Sequence, residues 1–466
     1  MLQRTDEQQS GTHKRTLCPW LVLVALSIGV CQPSLAQGPS GSAPAASVLF
    51  QDVRIFDGKS SALSPVSSVL ISGNVIKRIS ATPITFDGNA NVQVVAGNGR
   101  VLMPGLIDMH WHAMLVRPTP ATILSSDIGY TNLLAGAEAR STLMRGFTTI
   151  RDMGGPSFGL KRAIDEELLP GPRIYPSGAM ITVTGGHGDF RQLSELPRTI
   201  GGVLSRIEQL GGSMIADSPD EVRLRVREQL MQGASQIKLT AGGGVASPFS
   251  PLDVSTFTEA ELRAAVEAAE NWGTYVCTHA YTTVAIQRSI AAGVRCIEHG
   301  HLMDDVTARL MAEKGIWLST QPFLDLGGAS ALGPAEQAKM QQVVTGTDSV
   351  YALARKHGIK TAFGTDILFS KALAERQGAM LAALTRWYTP AEALIMATST
   401  NAELLKLSGP RNPHPGKLGV VEVDALADLL LVDGNPLENI RLIADPDRNF
   451  LVIMKNGKIY KNTQPN

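Results

Sequence analysis

The chain has 466 residues, enough for one large domain with a smaller one beside it, or for two to three ordinary domains. Lysine plus arginine equals aspartate plus glutamate, 42 of each, so the formal net charge is zero. A neutral chain gives no reason to expect nucleic acid or an anionic membrane surface as a partner.

The first 36 residues are predicted to be a signal peptide. Lys14 and Arg15 form a short basic region, and residues 17–30 are an apolar run. This run is shorter than the roughly 20 residues that a membrane-spanning helix needs. A small-residue motif ends at Ala36, which favours cleavage there. We expect an exported chain, periplasmic or secreted, without stable membrane insertion; an uncleaved anchor is the alternative.

Strand patterns dominate the chain after this segment. Residues 37–47 resemble a linker, and residues 48–100 contain short Val/Ile runs separated by turn residues. Strand and helix patterns then alternate. The eight strand-like runs are residues 101–112, 146–152, 173–178, 236–240, 274–279, 294–299, 316–320 and 360–366. Eight such units predict an α/β fold, a (β/α)8 TIM-type barrel over residues 101–407.

Local signals indicate helix starts inside the barrel and a return to β structure after it. Ser218, Thr258 and Thr389 each begin a capping motif that is typical of a helix N-terminus. Near the end, Asn456-Gly457 follows an apolar run and is a strong hairpin signal. We therefore predict that residues 408–466 join residues 48–100 in a small β-sandwich domain.

Histidines concentrate at the ends of the predicted barrel strands, where the active face of such barrels lies. His110 and His112 end the first strand, and residues two apart share one face of a strand, so both imidazoles can hold one ion. His279 and His299 end two consecutive later strands. One histidine at such a position is more often a satisfied polar residue. Two of them after a His-x-His pair indicate a metal site.

Two further strand residues extend this pattern. Lys238 lies in an apolar strand, where a charged ammonium has a large desolvation cost. Either its head reaches solvent or a carboxylate, or the neutral amine reacts with CO2 to give a carbamate that can bridge two cations. Asp366 ends the last predicted strand. It is either a helix N-cap or a carboxylate that contacts a metal and accepts a proton from bound water.

This ordered set resembles the amidohydrolase superfamily with a carboxylated lysine and a binuclear centre. The stretch MPGLIDMHWH at residues 103–112 matches the superfamily's first-strand signature, and the likeness extends over nearly the whole mature chain. TGGHG at 184–188, THAY at 278–281 and EHGH at 298–301 resemble the imidazolonepropionase-like branch. That branch includes Xaa-Pro dipeptidases and ochratoxin-type amidases. Imidazolonepropionase itself uses one metal, and Lys238 at the bridging position counts against it.

The resemblance implies two divalent metal ions, with zinc favoured and manganese or cobalt as alternatives. The implied metal ligands, with a CO2-derived carbamate on the lysine, are His110, His112, Lys238, His279, His299 and Asp366. Asp366 is also the implied proton carrier for a hydroxide held between the ions. His187 is placed to donate to the substrate carbonyl, and Tyr281 and His301 are further candidates for substrate contacts; His187 and His301 could instead be packing residues.

The expected reaction is hydrolysis of an amide or peptide bond in a small substrate, a dipeptide or an N-acyl amino acid. A lactonase or phosphotriesterase could use the same centre, and a non-catalytic scaffold would be expected to have lost ligands. The resemblance also implies a homo-oligomer. Two loops, residues 241–253 and 326–346, are rich in small residues and could cover the site.

Overall fold

The structure of the protein is a computed structural model. It describes residues 47–86, 91–199, 201–324 and 333–464. The predicted signal peptide and residues 37–46 of the predicted linker lie outside the described residues. Among the helices of these ranges, none combines the length and the apolar character that crossing a lipid bilayer requires.

Strands and helices are numbered here in chain order within these ranges. The strands are β1 Ser47–Ile55, β2 Ser67–Ser72, β3 Val75–Ser80, β4 Val92–Ala96, β5 Val101–Pro104, β6 Leu106–Trp111, β7 Phe147–Asp152, β8 Arg173–Pro176, β9 Met180–Thr182, β10 Ser213–Ile215, β11 Ile237–Thr240, β12 Val276–Thr282, β13 Cys296–Leu302, β14 Trp317–Thr320, β15 Thr361–Phe363, β16 Leu429–Val432, β17 Phe450–Lys455 and β18 Lys458–Asn462. The helices are α1 Pro120–Ser125, α2 Ile128–Met144, α3 Phe158–Asp165, α4 Arg206–Gln209, α5 Pro219–Met231, α6 Glu259–Glu270, α7 Thr283–Ala291, α8 Asp305–Glu313, α9 Pro334–His357, α10 Lys371–Ala374, α11 Gln377–Ala383, α12 Pro390–Ile395, α13 Asn401–Leu405 and α14 Pro446–Asn449.

The N-terminal and C-terminal β segments share one mixed sheet. Its order is β18-β17-β16-β5-β1-β2-β3, and β4 also pairs with β1. The link between the two ends of the chain is the antiparallel pairing of β16 with β5. Asn456 and Gly457 connect β17 and β18 with φ angles of +53° and +74°, as the tight turn of this hairpin requires.

The predicted first barrel strand, residues 101–112, is two strands in the structure. β5 belongs to the terminal sheet, whereas β6 pairs in parallel with β7. Gly105 separates them, and a Cβ at this position would lie 2.1 Å from Thr148 Oγ1, so the close approach requires glycine. Every residue of both strands is buried, so the burial pattern does not mark the break, and the local sequence signal for it is the Pro104-Gly105 dipeptide.

The strands between the terminal segments are parallel and alternate with helices. One sheet has the order β10-β9-β11-β12-β13-β14-β15 and another the order β6-β7-β8. Each of the eight predicted strand runs overlaps an observed strand. The protein is therefore an α/β protein with parallel sheets, and its site residues gather at the carboxyl ends of these strands.

The three predicted helix starts are confirmed. Ser218 caps α5 by accepting a hydrogen bond from the backbone N–H of Glu221. Thr258 and Thr389 form capping boxes at the starts of α6 and α12. These caps satisfy backbone donors that the first helical turn leaves without partners, so they fix where each helix begins.

The predicted loop 326–346 is wrong for its second half. Residues 325–332 lie outside the described residues, and α9 begins at Pro334. Val343, Thr347 and Val350 are buried at helical spacing on this helix. The small residues before Pro334 obscured this periodicity.

Candidate metal centre and substrate cavity

The six predicted metal ligands line one cavity of about 550 Å³. Asp366 is central to the cluster, because its Oδ1 lies 3.1 Å from His112 Nε2 and 3.3 Å from His110 Nε2. Lys238 Nζ lies 3.5 Å from His110 Nε2. The rings of His279 and His299 are 4.4 Å apart between centroids, and the His299 ring is 4.9 Å from that of His110. Residues from five separate parts of the chain therefore meet in one place.

Each of the four imidazoles has one ring nitrogen bonded to a protein acceptor. The pairs are His110 Nδ1 with Glu298 Oε2 at 2.8 Å, His112 Nδ1 with the Gly154 carbonyl at 3.2 Å, His279 Nε2 with the Gly243 carbonyl at 2.9 Å, and His299 Nδ1 with Gln321 Oε1 at 2.7 Å. These partners can only accept, so each ring donates its N–H to them and keeps a lone pair on its other nitrogen. Histidines that bind metal in proteins are usually oriented in this way.

These lone pairs leave a place that a cation would fill. His112 Nε2 and His110 Nε2 both face Asp366 Oδ1, at 3.1 and 3.3 Å, on the side of each ring away from its bonded Nδ1. Burial lowers the pKa of His110 well below its ordinary value, which keeps this imidazole neutral. Converging lone pairs repel unless a positive ion lies among them. The nitrogen and carboxylate donors fit zinc, and also manganese or cobalt.

Lys238 does not reach solvent. It projects from β11 with 2% of its surface exposed, and burial lowers the pKa of its ammonium group. The neutral amine is the form that reacts with CO2. The structure thus excludes the solvent-reaching alternative and is consistent with a carbamate at this position.

Asp366 is not the N-cap of the helix that follows it. α10 begins at Lys371, and Ser370 caps it. Asp366 instead has a φ of +53°, and its backbone N–H donates to the His110 carbonyl at 2.7 Å. His299 has a φ of +78°. Such left-handed backbone at a non-glycine residue costs about 1–3 kcal/mol and is concentrated at functional sites.

Beneath the histidines lies a fully buried ion pair that sequence reasoning missed. Arg151 of β7 and Glu298 of β13 are 2.7 Å apart, and neither is exposed to solvent. Glu298 also accepts from His110, so the pair orients a predicted ligand. The available signal was Arg151 itself, since a charged residue in a buried strand needs a partner.

Asp108 is a second missed residue. Its carboxylate accepts from Thr365 Oγ1 at 2.7 Å, from Gln377 Nε2 at 2.9 Å and from the backbone N–H of His110 at 3.0 Å. Burial raises the pKa of Asp108 to about 6. The Asp108 carboxylate connects β6 to Thr365, the residue before Asp366. This contact helps to set the distance between the predicted ligands His110 and Asp366.

Two of the three predicted substrate-contacting residues line the cavity. His187 lies after β9, and burial lowers its pKa to about 3, so its ring is neutral. The Tyr281 ring is 4.8 Å from that of His279. His301 is not among the lining residues; it stacks on Phe323 at 5.2 Å, and its Nε2 bonds the Gln321 carbonyl. A contact between His301 and substrate stays a prediction.

The amidohydrolase family model matches residues 101–460. The chain belongs to the amidohydrolase family. Ochratoxinase from Aspergillus niger is 32% identical over 389 residues, which is 78% of this chain and 76% of that protein. A solved amidohydrolase has a TM-score of 0.82 and 35% identity, and covers 90% of this chain and 100% of its own. A prolidase complexed with N-methylphosphonate-L-proline has a TM-score of 0.82, 32% identity and the same coverage.

These findings confirm the resemblance that the sequence motifs indicated. The amidohydrolase is a hydrolase acting on C–N bonds, in the branch that contains the prolidases and ochratoxinase. Its six motif residues meet in one cavity, as the motif order led us to expect. Members of this family generally use metal ions, and the donor geometry described above is a candidate metal site.

Away from the candidate metal site, the cavity of this amidohydrolase is mainly apolar. Apolar lining side chains include Leu115, Phe190, Val245, Phe323, Met340 and Phe369. Arg376 is the one lysine or arginine besides Lys238 among the lining residues of the described ranges. The cavity therefore combines a polar catalytic end with a wide apolar region.

Glu298→Gln is expected to destabilise the metal-free protein by about 3–5 kcal/mol, because Arg151 would keep a buried charge without a counter-charge. Urea denaturation measures this change. The matched control is Glu403→Gln, since Glu403 pairs with Lys360 at 2.6 Å on the exposed surface. Its expected cost is below about 1 kcal/mol. Equal effects of the two substitutions would contradict the structural role of the buried pair.

Proposed function

We propose that the protein is a binuclear metal-dependent amidohydrolase that cleaves the amide or peptide bond of a dipeptide or an N-acyl amino acid. The observation that carries this proposal is the convergence of two histidine lone pairs on Asp366 Oδ1, with Lys238 buried beside them. Similarity to ochratoxinase and to a prolidase supports the choice of bond. A lactonase or phosphotriesterase remains the alternative activity for the same set of ligands.

Two groups of side chains would hold the ions. His110, His112 and Asp366 would hold the first ion, and His279 and His299 the second; Lys238, as its carbamate, would supply negative charge to both. Zinc suits these donors, with manganese or cobalt as substitutes. Two divalent ions at this position would lower the pKa of bound water and polarise a substrate carbonyl.

Asp366 would act as the proton carrier. Its carboxylate faces the cavity and is partly exposed, at 16% of the side chain. It can therefore accept a proton from the attacking water and deliver it to the leaving nitrogen, which makes that nitrogen a better leaving group.

His187 would donate a hydrogen bond to the substrate carbonyl. The backbone N–H of Gly188 donates to Ser247 Oγ at 2.9 Å, and the same oxygen lies 2.9 Å from His187 Nδ1. In the proposed arrangement the Ser247 hydroxyl would donate its proton to His187 Nδ1, and the neutral ring would then carry its own proton on Nε2. A donor of this kind stabilises the negative charge that develops on the carbonyl oxygen.

For the fold, we propose that the parallel strands that fall in the eight predicted strand runs close into a (β/α)8 barrel beside a β-sandwich. Support comes from a parallel bridge between Trp111 and Ile367, which links β6 to the segment after β15. The Ser235 N–H also bonds the Pro176 carbonyl at 2.8 Å, between the two parallel sheets. Export after cleavage at Ala36 and assembly into a homo-oligomer stay predictions from the sequence.

The cavity favours substrates with a bulky apolar group. Its volume of about 550 Å³ is in the range of sites for drug-sized ligands and exceeds what the smallest dipeptides fill. Burying a further ~60 Å² of apolar surface contributes about 1.5 kcal/mol, or roughly tenfold in affinity. N-acyl amino acids with an aromatic acyl group are therefore the preferred class in this proposal.

The test is a substrate panel with the metal-loaded protein. It contains N-acetyl-, N-benzoyl- and N-naphthoyl-phenylalanine, Xaa-Pro dipeptides, a γ-lactone and a phosphotriester. We expect kcat/KM to rise about tenfold or more from the acetyl to the naphthoyl compound. About two metal ions per chain are expected by elemental analysis. Fastest turnover of the lactone or the triester would instead assign the centre to the alternative chemistry.

A further inference from the structure

Lys339, on helix α9, attaches that helix to the loop between β11 and α6. Its ammonium group donates to three backbone carbonyls of this loop, those of Gly244 at 3.3 Å, Ser247 at 2.9 Å and Ser250 at 2.9 Å. Hydrogen bonds from a charged donor are stronger than neutral ones. Three of them from one half-buried side chain fix the loop at several points along its length.

An apolar cluster reinforces this attachment. Val245 and Leu252 of the loop pack with Val343 of α9 and with Tyr281, and Met340 packs against the same cluster. Val245, Met340 and Tyr281 also line the substrate cavity. The loop and the helix thus form one wall of the cavity, and Lys339 lies behind it rather than facing the substrate.

The same loop determines the orientation of His187. Ser247, whose carbonyl accepts from Lys339, uses its hydroxyl to contact His187 Nδ1. Gly244 is so close to this ring that a Cβ there would lie 2.0 Å from His187 Nδ1. A displacement of about 1 Å in the loop would therefore move the group that sets the proton position on His187, and errors of this size can reduce rates strongly.

We propose that Lys339 is a positioning residue that holds the loop 243–250 and, through Ser247, keeps His187 directed at the substrate. This inference rests on the proposed function, because it assigns a task to His187. The Lys339 ammonium group donates its hydrogen bonds to the three loop carbonyls, and none of these belongs to a predicted metal ligand. Its loss is expected to change catalysis while leaving the metal content unchanged.

The first test compares Lys339→Met with Lys356→Met, a control on the same helix whose lysine pairs with the exposed Asp305. We expect Lys339→Met to lower kcat about 30-fold with metal content unchanged, since His187 acts mainly in the transition state. Lys356→Met should stay within about twofold of the unmodified protein. Lys339→Arg keeps the charge and the donors, and should recover kcat to within about fivefold. Equal losses in both methionine variants would overturn the proposal.

A double-mutant cycle separates positioning from a general structural role. In a His187→Ala background, Lys339→Met should lower kcat by less than about threefold, because the residue through which it acts is already gone. If Lys339→Met lowers kcat by the same factor in the His187→Ala background as in the unmodified protein, Lys339 does not act through His187 and the proposal fails.

Hydrogen exchange supplies a readout that needs no substrate. The backbone amides of residues 244–250 are expected to exchange about tenfold faster in Lys339→Met and at the normal rate in Lys356→Met. Absence of amidase activity in the unmodified protein would reject the proposed function alone. Normal exchange in Lys339→Met would reject the attachment of the loop, whatever the substrate.

Discussion

Lys238→Ala is expected to purify with fewer than one metal ion per chain and to lose more than about 10³-fold in kcat/KM. Lys238 Nζ lies 3.5 Å from His110 Nε2, and the lysine is buried. Because the position is closed to solvent, a side chain on the protein surface cannot take its place. Its removal takes away the only ligand assigned to both ions. Loss of several kcal/mol of charge stabilisation corresponds to at least three orders of magnitude in rate. Elemental analysis and steady-state kinetics measure both quantities on the same preparation.

The matched control is Lys360→Ala, which removes an exposed lysine that pairs with Glu403 and should keep metal and activity. A second arm tests the carbamate itself. Adding acetate or propionate to Lys238→Ala supplies a carboxylate small enough for the vacated space and should restore part of the metal content. Reconstitution of the unmodified metal-free protein should likewise be slower in CO2-depleted buffer than in bicarbonate. A Lys238→Ala protein that retains both ions and full activity would show that this lysine bridges nothing.

The meeting of the six predicted metal ligands in one cavity was predictable because the information for it is local. Each of His110, Lys238, His279 and His299 lies in a short apolar run with the length of a strand, and parallel strands bring their carboxyl ends together. Residue type and position along the strand were therefore enough. The order of these residues along the chain then supplied the family resemblance.

The supporting residues were not predictable in the same way, because their meaning depends on distant partners. Arg151 and Glu298 are 147 positions apart, and neither belongs to a recognisable motif with the other. Asp108 lies within the first-strand signature, yet its contact with Gln377 spans 269 positions. Only the three-dimensional arrangement shows that Arg151 pairs with Glu298, that neutral donors satisfy Asp108, and that both groups contact predicted metal ligands or their neighbours.

Two predictions from the sequence, the single strand 101–112 and the loop 326–346, were wrong for physical reasons. Gly105 interrupts the run 101–112 because Thr148 occupies the space of a side chain, and a contact of that kind leaves no trace in the apolar pattern. The predicted loop 326–346 includes the first half of α9 because small residues precede this helix, although Val343 and Val350 keep helical spacing. That second error concealed Lys339, which contacts the loop around Ser247 only because the segment is helical.

Asp366→Asn is expected to keep much of the metal and to lose about 10²–10⁴-fold in kcat. The amide retains the shape of the carboxylate and one oxygen that can face His110 and His112, so the ligand cluster can persist. It cannot accept and return a proton, and general acid–base catalysis contributes about 10²–10⁴-fold. Kinetics alone would not distinguish this loss from a loss of metal, so metal content must be measured on the same sample.

The control for this substitution is Asp433→Asn, which removes an exposed carboxylate 2.8 Å from Arg100 and should leave kcat unchanged. A substrate with a good leaving group sharpens the comparison further. An activated anilide or ester needs little protonation of the leaving atom, so Asp366→Asn should be impaired less on it than on an alkyl amide. Equal impairment on both substrates would mean that Asp366 serves the metal rather than the proton. Full activity of Asp366→Asn on the alkyl amide would remove Asp366 from the reaction altogether, because a side chain that accepts no proton would then suffice.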